Sequence, residues 1–291
     1  MSPRTRPVTQ VPRERVQRTL DWTFPPSPVR RELIEVLPEH PVAGRPPLLF
    51  VHAAWHGAWC WQEHWLPAAA AAGWHAVAVS LRGHGASERP AHFDLATLRH
   101  YEHDVLQAIT TLPAPPVLVG HSMGGVIVQR VLERYRAAPA GVLLASLPPD
   151  HGLDVLPGVL RHDPVLLLRA LTGRPIAPRS GTLFGPATPP EIESRLLARL
   201  GPESWLALQQ LLLPRRAPDV RTPLLVVGGE HDRFAPPHAV ARTARHYGTR
   251  PHLFRGMGHE LPLEPGWDAV LDRVLTWIAG QLEEPTASAG R

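Results

Sequence analysis

Lysine, cysteine and long apolar runs are all scarce in this chain of 291 residues. There is no lysine, so all 30 basic side chains are arginines. The only cysteine, Cys60, excludes an internal disulfide and fits a reducing compartment. No stretch approaches the roughly 18 uninterrupted apolar residues of a membrane-spanning helix, so we expect no membrane span.

Positive charge is concentrated at the start of the chain. Residues 1–31 contain seven arginines and two acidic side chains, whereas the other 260 residues contain 23 arginines and 24 acidic side chains. A near-neutral body lacks the basic surface that nucleic-acid binding requires. Residues 1–30 have no apolar segment and no periodic pattern, which predicts a flexible extension rather than a secretory signal. We therefore expect a cytoplasmic protein that binds no nucleic acid.

Short apolar runs alternate with helical patterns over much of the remaining chain. Runs such as Pro47–Val51 and Pro223–Val227 are typical of buried parallel strands. Amphipathic helical patterns separate them, which predicts an α/β fold with a mostly parallel central sheet flanked by helices. The alternation defines a core of residues 31–146 and 220–281, followed by a disordered tail at 282–291.

The alternation of strands and helices is interrupted over residues 147–219, which we call the insertion. This region contains helix-start signals but no convincing strand. The signals are Asp163-Pro164, a capping-box pattern at Thr188-Pro189-Pro190-Glu191, and Gly201-Pro202. The insertion is therefore predicted to be a helical cap between two strands.

A serine flanked by glycines stands where a predicted strand meets a predicted helix. The segment Gly120-His121-Ser122-Met123-Gly124 fits the G-x-S-x-G pattern of a nucleophile elbow. Small residues on both sides let the strand and the helix pass closely, and the turn exposes the hydroxyl at the positive end of the helix. This context predicts that Ser122 is a nucleophile.

A serine hydroxyl needs a base, and the base needs a group that orients it. Glu230 and Asp232 follow the predicted strand that ends at Val227, and His259 lies in a glycine-rich loop after the last predicted strand. Ligand and catalytic groups of open α/β sheets lie beyond the carboxyl ends of the strands, so these loops open onto one edge. The order serine, acid, histidine predicts a catalytic triad.

With these motifs in this order, the chain resembles the α/β-hydrolase superfamily from about residue 31 to 281. The family places its acid after a G-x-x-D turn, which matches Gly229-Glu230-His231-Asp232. The resemblance therefore implies that Asp232 is the acid, with Glu230 as the alternative, and that His259 is the base.

The resemblance also implies an oxyanion hole made of two backbone amides. One amide is that of Met123. The other is that of Ala54, with Ala53 or Trp55 as alternatives, in a turn where the family usually has glycine at the position of Ala53.

The stretch Val51–Trp61 is similar to the corresponding stretch of plant methyl-ester esterases and hydroxynitrile lyases. Those lyases typically carry a lysine after the catalytic histidine, where this chain has Glu260. The resemblance therefore favours ester hydrolysis over lyase chemistry.

Taken together, the resemblance implies a serine hydrolase that cleaves an ester or related acyl bond without a metal or organic cofactor. Trp55, His56 and His121 flank the catalytic loops and are candidate pocket residues. The apolar insertion and the tryptophan-rich loop favour a hydrophobic small-molecule substrate. Two alternatives stay open: a cofactor-free perhydrolase of the haloperoxidase type that uses the same triad, and a ligand-binding protein without turnover. The oligomeric state is not determined by the sequence.

Overall fold

The computed structural model describes residues 4–8, 26–135, 137–171, 178–216, 218 and 220–283. Eight strands form one sheet: β1 (Arg4–Val8), β2 (Arg31–Val36), β3 (Leu48–Val51), β4 (Ala76–Val79), β5 (Val117–His121), β6 (Gly141–Leu144), β7 (Leu224–Gly229) and β8 (Pro251–Phe254). Their spatial order is β1-β2-β4-β3-β5-β6-β7-β8. β2 is antiparallel to β1 and β4, and all other neighbours are parallel. This is the predicted α/β fold with a mostly parallel sheet.

The parallel strands in the middle of the sheet are buried along their whole length. Every residue of β3, β4, β5, β6 and β7 is buried, as expected when both faces of a sheet are covered. Val51 at the end of β3 lies opposite Gly120 near the end of β5. The loops that follow these two strands therefore begin side by side.

Ten α-helices occur in the described residues. They are α1 (Trp59–Gln62), α2 (Trp65–Ala71), α3 (Leu98–Ile109), α4 (Met123–Arg134), α5 (Val155–His162), α6 (Pro164–Leu171), α7 (Pro190–Leu197), α8 (Trp205–Leu212), α9 (Pro237–His246) and α10 (Trp267–Glu283). The sequence pattern predicts one helix over residues 61–72. The chain instead forms α1 and α2, separated at His64, whose φ of −140° is not helical.

Helices α5 to α8 lie in the insertion, between β6 and β7. α6 and α7 begin at Pro164 and Pro190, as their start signals predict. The predicted capping box at Thr188 is wrong, because Pro189 occupies the N-cap position and no side chain caps the helix. α8 begins after Ser204 rather than at Gly201, and the Ser204 side chain accepts a hydrogen bond from the amide of Ala207.

Only parts of the predicted extension and of the predicted tail are among the described residues. Within the predicted flexible extension, residues 4–8 form β1, which pairs with β2 from Arg4 opposite Glu35 to Val8 opposite Arg31. Residues 1–3 and 9–25 lie outside the described residues. α10 continues to Glu283, and residues 284–291 of the predicted tail lie outside the described residues.

Among the helices that are described, none combines the length and the apolar character needed to cross a membrane.

Candidate active site

Ser122 lies at the tight turn between β5 and α4. Its φ of 52° and ψ of −117° form a backbone conformation that non-glycine residues rarely adopt, and its amide donates to the Leu144 carbonyl at 2.9 Å. Only glycine fits at two neighbouring positions. A Cβ on Gly124 would meet the Val51 carbonyl, and a Cβ on Gly120 would meet the backbone of Gly124. Ser122 therefore sits beyond the carboxyl end of β5 in the strand–turn–helix arrangement that the motif predicts.

His259 and Asp232 form a buried hydrogen-bonded pair. His259 Nδ1 lies 2.8 Å from Asp232 Oδ2 and 3.0 Å from Oδ1. The amides of Phe234 and Ala235 each donate to Oδ1 at 2.8 Å, which fixes the carboxylate. A carboxylate at Nδ1 holds the proton there and leaves Nε2 as the basic nitrogen. Burial lowers the pKa of His259, but the Asp232 carboxylate, together with Glu260 and Glu264, outweighs burial and leaves that pKa above its ordinary value.

Glu230, the alternative acid, lies away from this pair. Its side chain is 49% exposed, and its Oε2 accepts a hydrogen bond from the Gly256 amide at 3.2 Å. The geometry favours Asp232 as the partner of His259.

His121 connects the serine turn to the histidine loop. Its Nε2 donates to the His259 carbonyl at 2.7 Å, and the two ring centroids are 5.1 Å apart. Burial lowers the pKa of His121 to about 4, so its ring is neutral at physiological pH. Ser122, Asp232 and His259 follow the carboxyl ends of the parallel strands β5, β7 and β8, so the fold brings them to one edge of the sheet.

Two histidines hold the turn that follows β3. His52 Nδ1 donates to the Ala53 carbonyl at 2.7 Å, and His56 Nδ1 donates to the Ala54 carbonyl at 2.8 Å. The His56 amide also donates to the Ala53 carbonyl, at 3.3 Å. The N–H and C=O of a trans peptide point in opposite directions, so the anchored Ala53 carbonyl directs the Ala54 N–H away from it.

Trp55, the next residue of this turn, contacts the insertion. Its amide donates to Glu203 Oε2 at 3.2 Å, and its carbonyl accepts from the Gly201 amide at 2.8 Å. The Trp55 amide, one of the predicted alternatives for the oxyanion hole, is thus engaged elsewhere. Ala54 lines the cavity beside Ser122, and Met123 opens α4.

An apolar cavity of about 90 Å³ opens onto Ser122. The side chains that line it, apart from Ser122, are aliphatic or aromatic. They are Ala54, Trp55 and Phe234 from the core, and Leu147, Val155, Leu156, Val159, Leu166, Leu208, Leu211 and Leu212 from the insertion. A cavity of this composition suits an uncharged hydrocarbon group.

The sequence pattern of the Alpha/beta hydrolase family matches residues 48–273. The chain belongs to the alpha/beta hydrolase family. Methylesterase 3 of Arabidopsis thaliana is 28% identical over 184 residues, which cover 57% of this chain and 65% of that protein. Esterase PIR7B of Oryza sativa subsp. japonica is 38% identical over 106 residues, which cover 34% of this chain and 38% of that protein. The chain thus spans less than two thirds of the length of these relatives.

Solved structures share the fold. A thermophilic esterase from Thermogutta terrifontis has a TM-score of 0.64 at 20% identity, covering 87% of this chain and 94% of that chain. An esterase from Rhodococcus sp. has a TM-score of 0.62 at 20% identity, covering 87% and 96%. At these identities, the likeness shows the fold of this alpha/beta hydrolase and nothing finer.

Two of the three predicted pocket residues do not line the cavity. Trp55 does, but the rings of His56 and His121 point into the core, where they bind backbone carbonyls.

His56 Nε2 lies 3.4 Å from Glu260 Oε2, and both side chains are buried. Burial lowers the pKa of His56, but Glu260 and the Ala54 carbonyl together outweigh burial and leave that pKa raised. Burial raises the pKa of Glu260, but His56 and its neighbours outweigh it and bring that pKa to about 2.

Sequence reasoning misses Glu203 and the leucines of α8. An acidic residue after Gly201-Pro202 is typical of the first turn of a helix, so nothing in the sequence marks Glu203 as a buried side chain. Its contacts with the turn after β3 arise only when the insertion folds over the core.

Proposed function

We propose that this alpha/beta hydrolase is a serine esterase that cleaves carboxylic esters through an acyl-enzyme intermediate. One arrangement carries the proposal: Ser122, in its rare backbone conformation, faces an apolar cavity at the edge of the sheet where His259 and Asp232 form their pair. Two of the relatives are named as a methylesterase and an esterase, which supports the same class of reaction.

In the proposed mechanism, the Ser122 hydroxyl attacks the ester carbonyl carbon and His259 Nε2 takes up the hydroxyl proton. Asp232 keeps the imidazole in the required tautomer and stabilises the imidazolium that forms. The amides of Met123 and Ala54 stabilise the negative charge on the carbonyl oxygen. His259 then protonates the leaving alcohol, and water hydrolyses the acyl group from Ser122 by the same route. These steps require no metal or organic cofactor.

The cavity supports a hydrophobic acyl or alcohol group in the substrate. Its leucine and valine side chains stabilise hydrocarbon by burial, at roughly 0.8 kcal/mol per methylene. A carboxylate or ammonium group in this position would be left without a partner, at a cost of several kcal/mol. We therefore propose a neutral, medium-chain ester.

The decisive experiment compares the wild-type protein with Ser122→Ala on p-nitrophenyl esters of graded acyl length. We expect kcat/KM to fall by about 10³-fold or more, because the nucleophile is lost. A fluorophosphonate probe should label the wild-type protein and not the variant. Ser194→Ala, which changes an exposed serine on α7, is the matched control and should retain full activity. Ser122→Ala with wild-type turnover would contradict the proposal.

A further inference from the structure

The insertion holds the Trp55 residue from both sides. The Gly201 amide donates to the Trp55 carbonyl at 2.8 Å, and Glu203 Oε2 accepts from the Trp55 amide at 3.2 Å. Trp55 has a φ of 66°, in the left-handed region that favours glycine, and its side chain is buried. A tryptophan persists in such a conformation only when its surroundings hold it there.

Glu203 is fully buried and is surrounded by donors. Oε2 lies 3.2 Å from the Trp55 amide and 3.0 Å from His84 Nε2. Oε1 lies 2.5 Å from the Tyr101 hydroxyl and 2.7 Å from the Ser204 amide. The insertion thus places one side chain among groups from the turn after β3, the turn after β4 and α3.

Only a carboxylate can accept from all of these donors at once. Burial raises the pKa of Glu203, but His84 and the other donors outweigh burial and leave that pKa below its ordinary value. A glutamine has the same shape but adds two N–H groups of its own. Because a backbone amide donates to each oxygen of Glu203, either orientation of a glutamine amide sets an N–H against a backbone N–H.

The peptide group between Ala54 and Trp55 is fixed at both of its polar ends. Glu203 accepts from its N–H, and His56 Nδ1 donates to its C=O at 2.8 Å. The preceding peptide carries the Ala54 N–H, and its carbonyl is held by His52 and by the amide of His56. Without Glu203, the 54–55 peptide can rotate and Trp55 can leave its left-handed conformation, which shifts the Ala54 N–H relative to Ser122.

We infer that Glu203 is a positioning residue for the oxyanion hole: through the Trp55 amide, this residue of the insertion sets the direction of the Ala54 N–H. The inference rests on the proposed function, in which the Ala54 N–H stabilises the oxyanion.

The test measures kcat, KM and boronic-acid affinity for Glu203→Gln. An alkyl boronic acid forms a tetrahedral adduct on a catalytic serine and reports on the oxyanion hole. We expect kcat to fall by about 10- to 100-fold, somewhat less than for outright loss of an oxyanion donor. KM should change by less than about 3-fold, because the leucine and valine side chains that the insertion contributes to the cavity are unchanged, and boronate affinity should fall in parallel with kcat.

Tyr101→Phe is the matched control. It removes the Tyr101 hydrogen bond to Oε1 and leaves the Trp55 amide on Oε2. We expect this variant to lose thermal stability but to keep kcat within about 3-fold of the wild type. If both variants lose stability and neither loses kcat, Glu203 is structural only and the inference is overturned.

Glu203→Asp keeps the negative charge next to His84 and covers the case in which Glu203→Gln does not fold. Its carboxylate is one methylene shorter, so the contact with the Trp55 amide, the longest of the four at 3.2 Å, is lost first. We expect the same fall in kcat at constant KM, and a wild-type kcat would overturn the inference. A wild-type protein without esterase activity would instead contradict the proposed function and this inference with it.

Discussion

Two residues at the candidate site, Ser122 and Trp55, have positive φ although neither is glycine. Such conformations cost about 1–3 kcal/mol each and persist where surrounding structure imposes them. The Leu144 carbonyl anchors the amide of Ser122, and Glu203 and Gly201 anchor Trp55. The costly conformations lie where the proposed chemistry needs a hydroxyl and an amide in defined positions.

At the residue scale, the variant Asp232→Asn tests the proposal that Asp232 orients His259 as the base. We expect kcat/KM to fall by about 10²- to 10⁴-fold, because an amide no longer holds the required tautomer of His259. The base acts when it is neutral, so the acidic limb of the pH profile follows the pKa of His259, which Asp232 raises. Removing the carboxylate should move this limb to lower pH. The measurement is kcat/KM between about pH 5 and pH 9.

The matched control for this prediction is Glu230→Gln, which alters the half-exposed acid that does not contact His259. We expect its activity and pH profile to match the wild type. The reverse pattern, with Glu230→Gln inactive and Asp232→Asn active, would move the acid of the triad to Glu230.

At the scale of the elements, local patterns locate the parallel strands well. Runs such as Leu48–Val51 and Leu224–Gly229 are apolar throughout because helices cover both faces of the sheet, and this signal is visible in the sequence. β1 carries no such signal. It is an edge strand rich in arginine and proline, and its pairing with β2 depends on the folded edge being present.

The candidate site shows the same difference between residues that a local sequence pattern predicts and residues whose roles depend on the folded chain. The candidate triad of Ser122, Asp232 and His259 could be predicted because each of these residues stands in a short motif after a strand. The core-facing roles of His56 and His121 could not, because the direction of a ring in a turn is set by distant carbonyls and carboxylates. Glu203 could not either, since its donors lie about 100 or more residues away along the chain, apart from the adjacent Ser204 amide.

The pocket-forming role of α5 can be tested with Val159→Trp. Val159 lines the cavity and is 5% exposed, so a larger ring there should shorten the space for the substrate. We expect kcat/KM for octanoyl esters to fall by about 10-fold or more, while acetyl esters stay within about 3-fold. The control is Leu160→Trp on the next residue, which is 61% exposed and should keep the wild-type chain-length profile. If Val159→Trp and Leu160→Trp have the same chain-length profile, the acyl group does not bind beside Val159.

At the scale of the whole molecule, the fold buries several of its 17 histidines. Burial lowers the pKa of His103 and His121 to about 4, and it holds the pKa of His52 well below its ordinary value. Burial also acts on His56 and His259, but neighbouring carboxylates outweigh it and leave their pKa values raised. The folded chain therefore contains both neutral and protonated buried rings in mildly acidic solution.

We expect the free energy of unfolding to fall by about 3–4 kcal/mol between about pH 6 and pH 4.5. In this range the three buried histidines of lowered pKa, His52, His103 and His121, take up protons chiefly when the chain unfolds, so acid favours the unfolded state. Burial raises the pKa of Glu264 to about 7, which opposes the effect by one proton. His56 and His259 are protonated in both states below pH 6 and contribute little.

Urea denaturation at several pH values measures this dependence. His103→Gln removes one of the three proton-uptake sites and should give a shallower slope. A free energy of unfolding that is constant or rises on acidification would show that the buried histidines are protonated in the folded chain.

The insertion also has a consequence for engineering. It contacts the loops that carry His259 and Trp55 by hydrogen bonds. The Leu183 carbonyl accepts from the His259 amide at 2.7 Å, Glu203 accepts from the Trp55 amide at 3.2 Å, and the Gly201 amide donates to the Trp55 carbonyl at 2.8 Å. Residues 147–219 therefore cannot be replaced by the corresponding region of another protein without regard to these hydrogen bonds. A chimera that receives this region from another family member needs a carbonyl and a carboxylate at these two places, whatever the shape of the pocket that the new region brings.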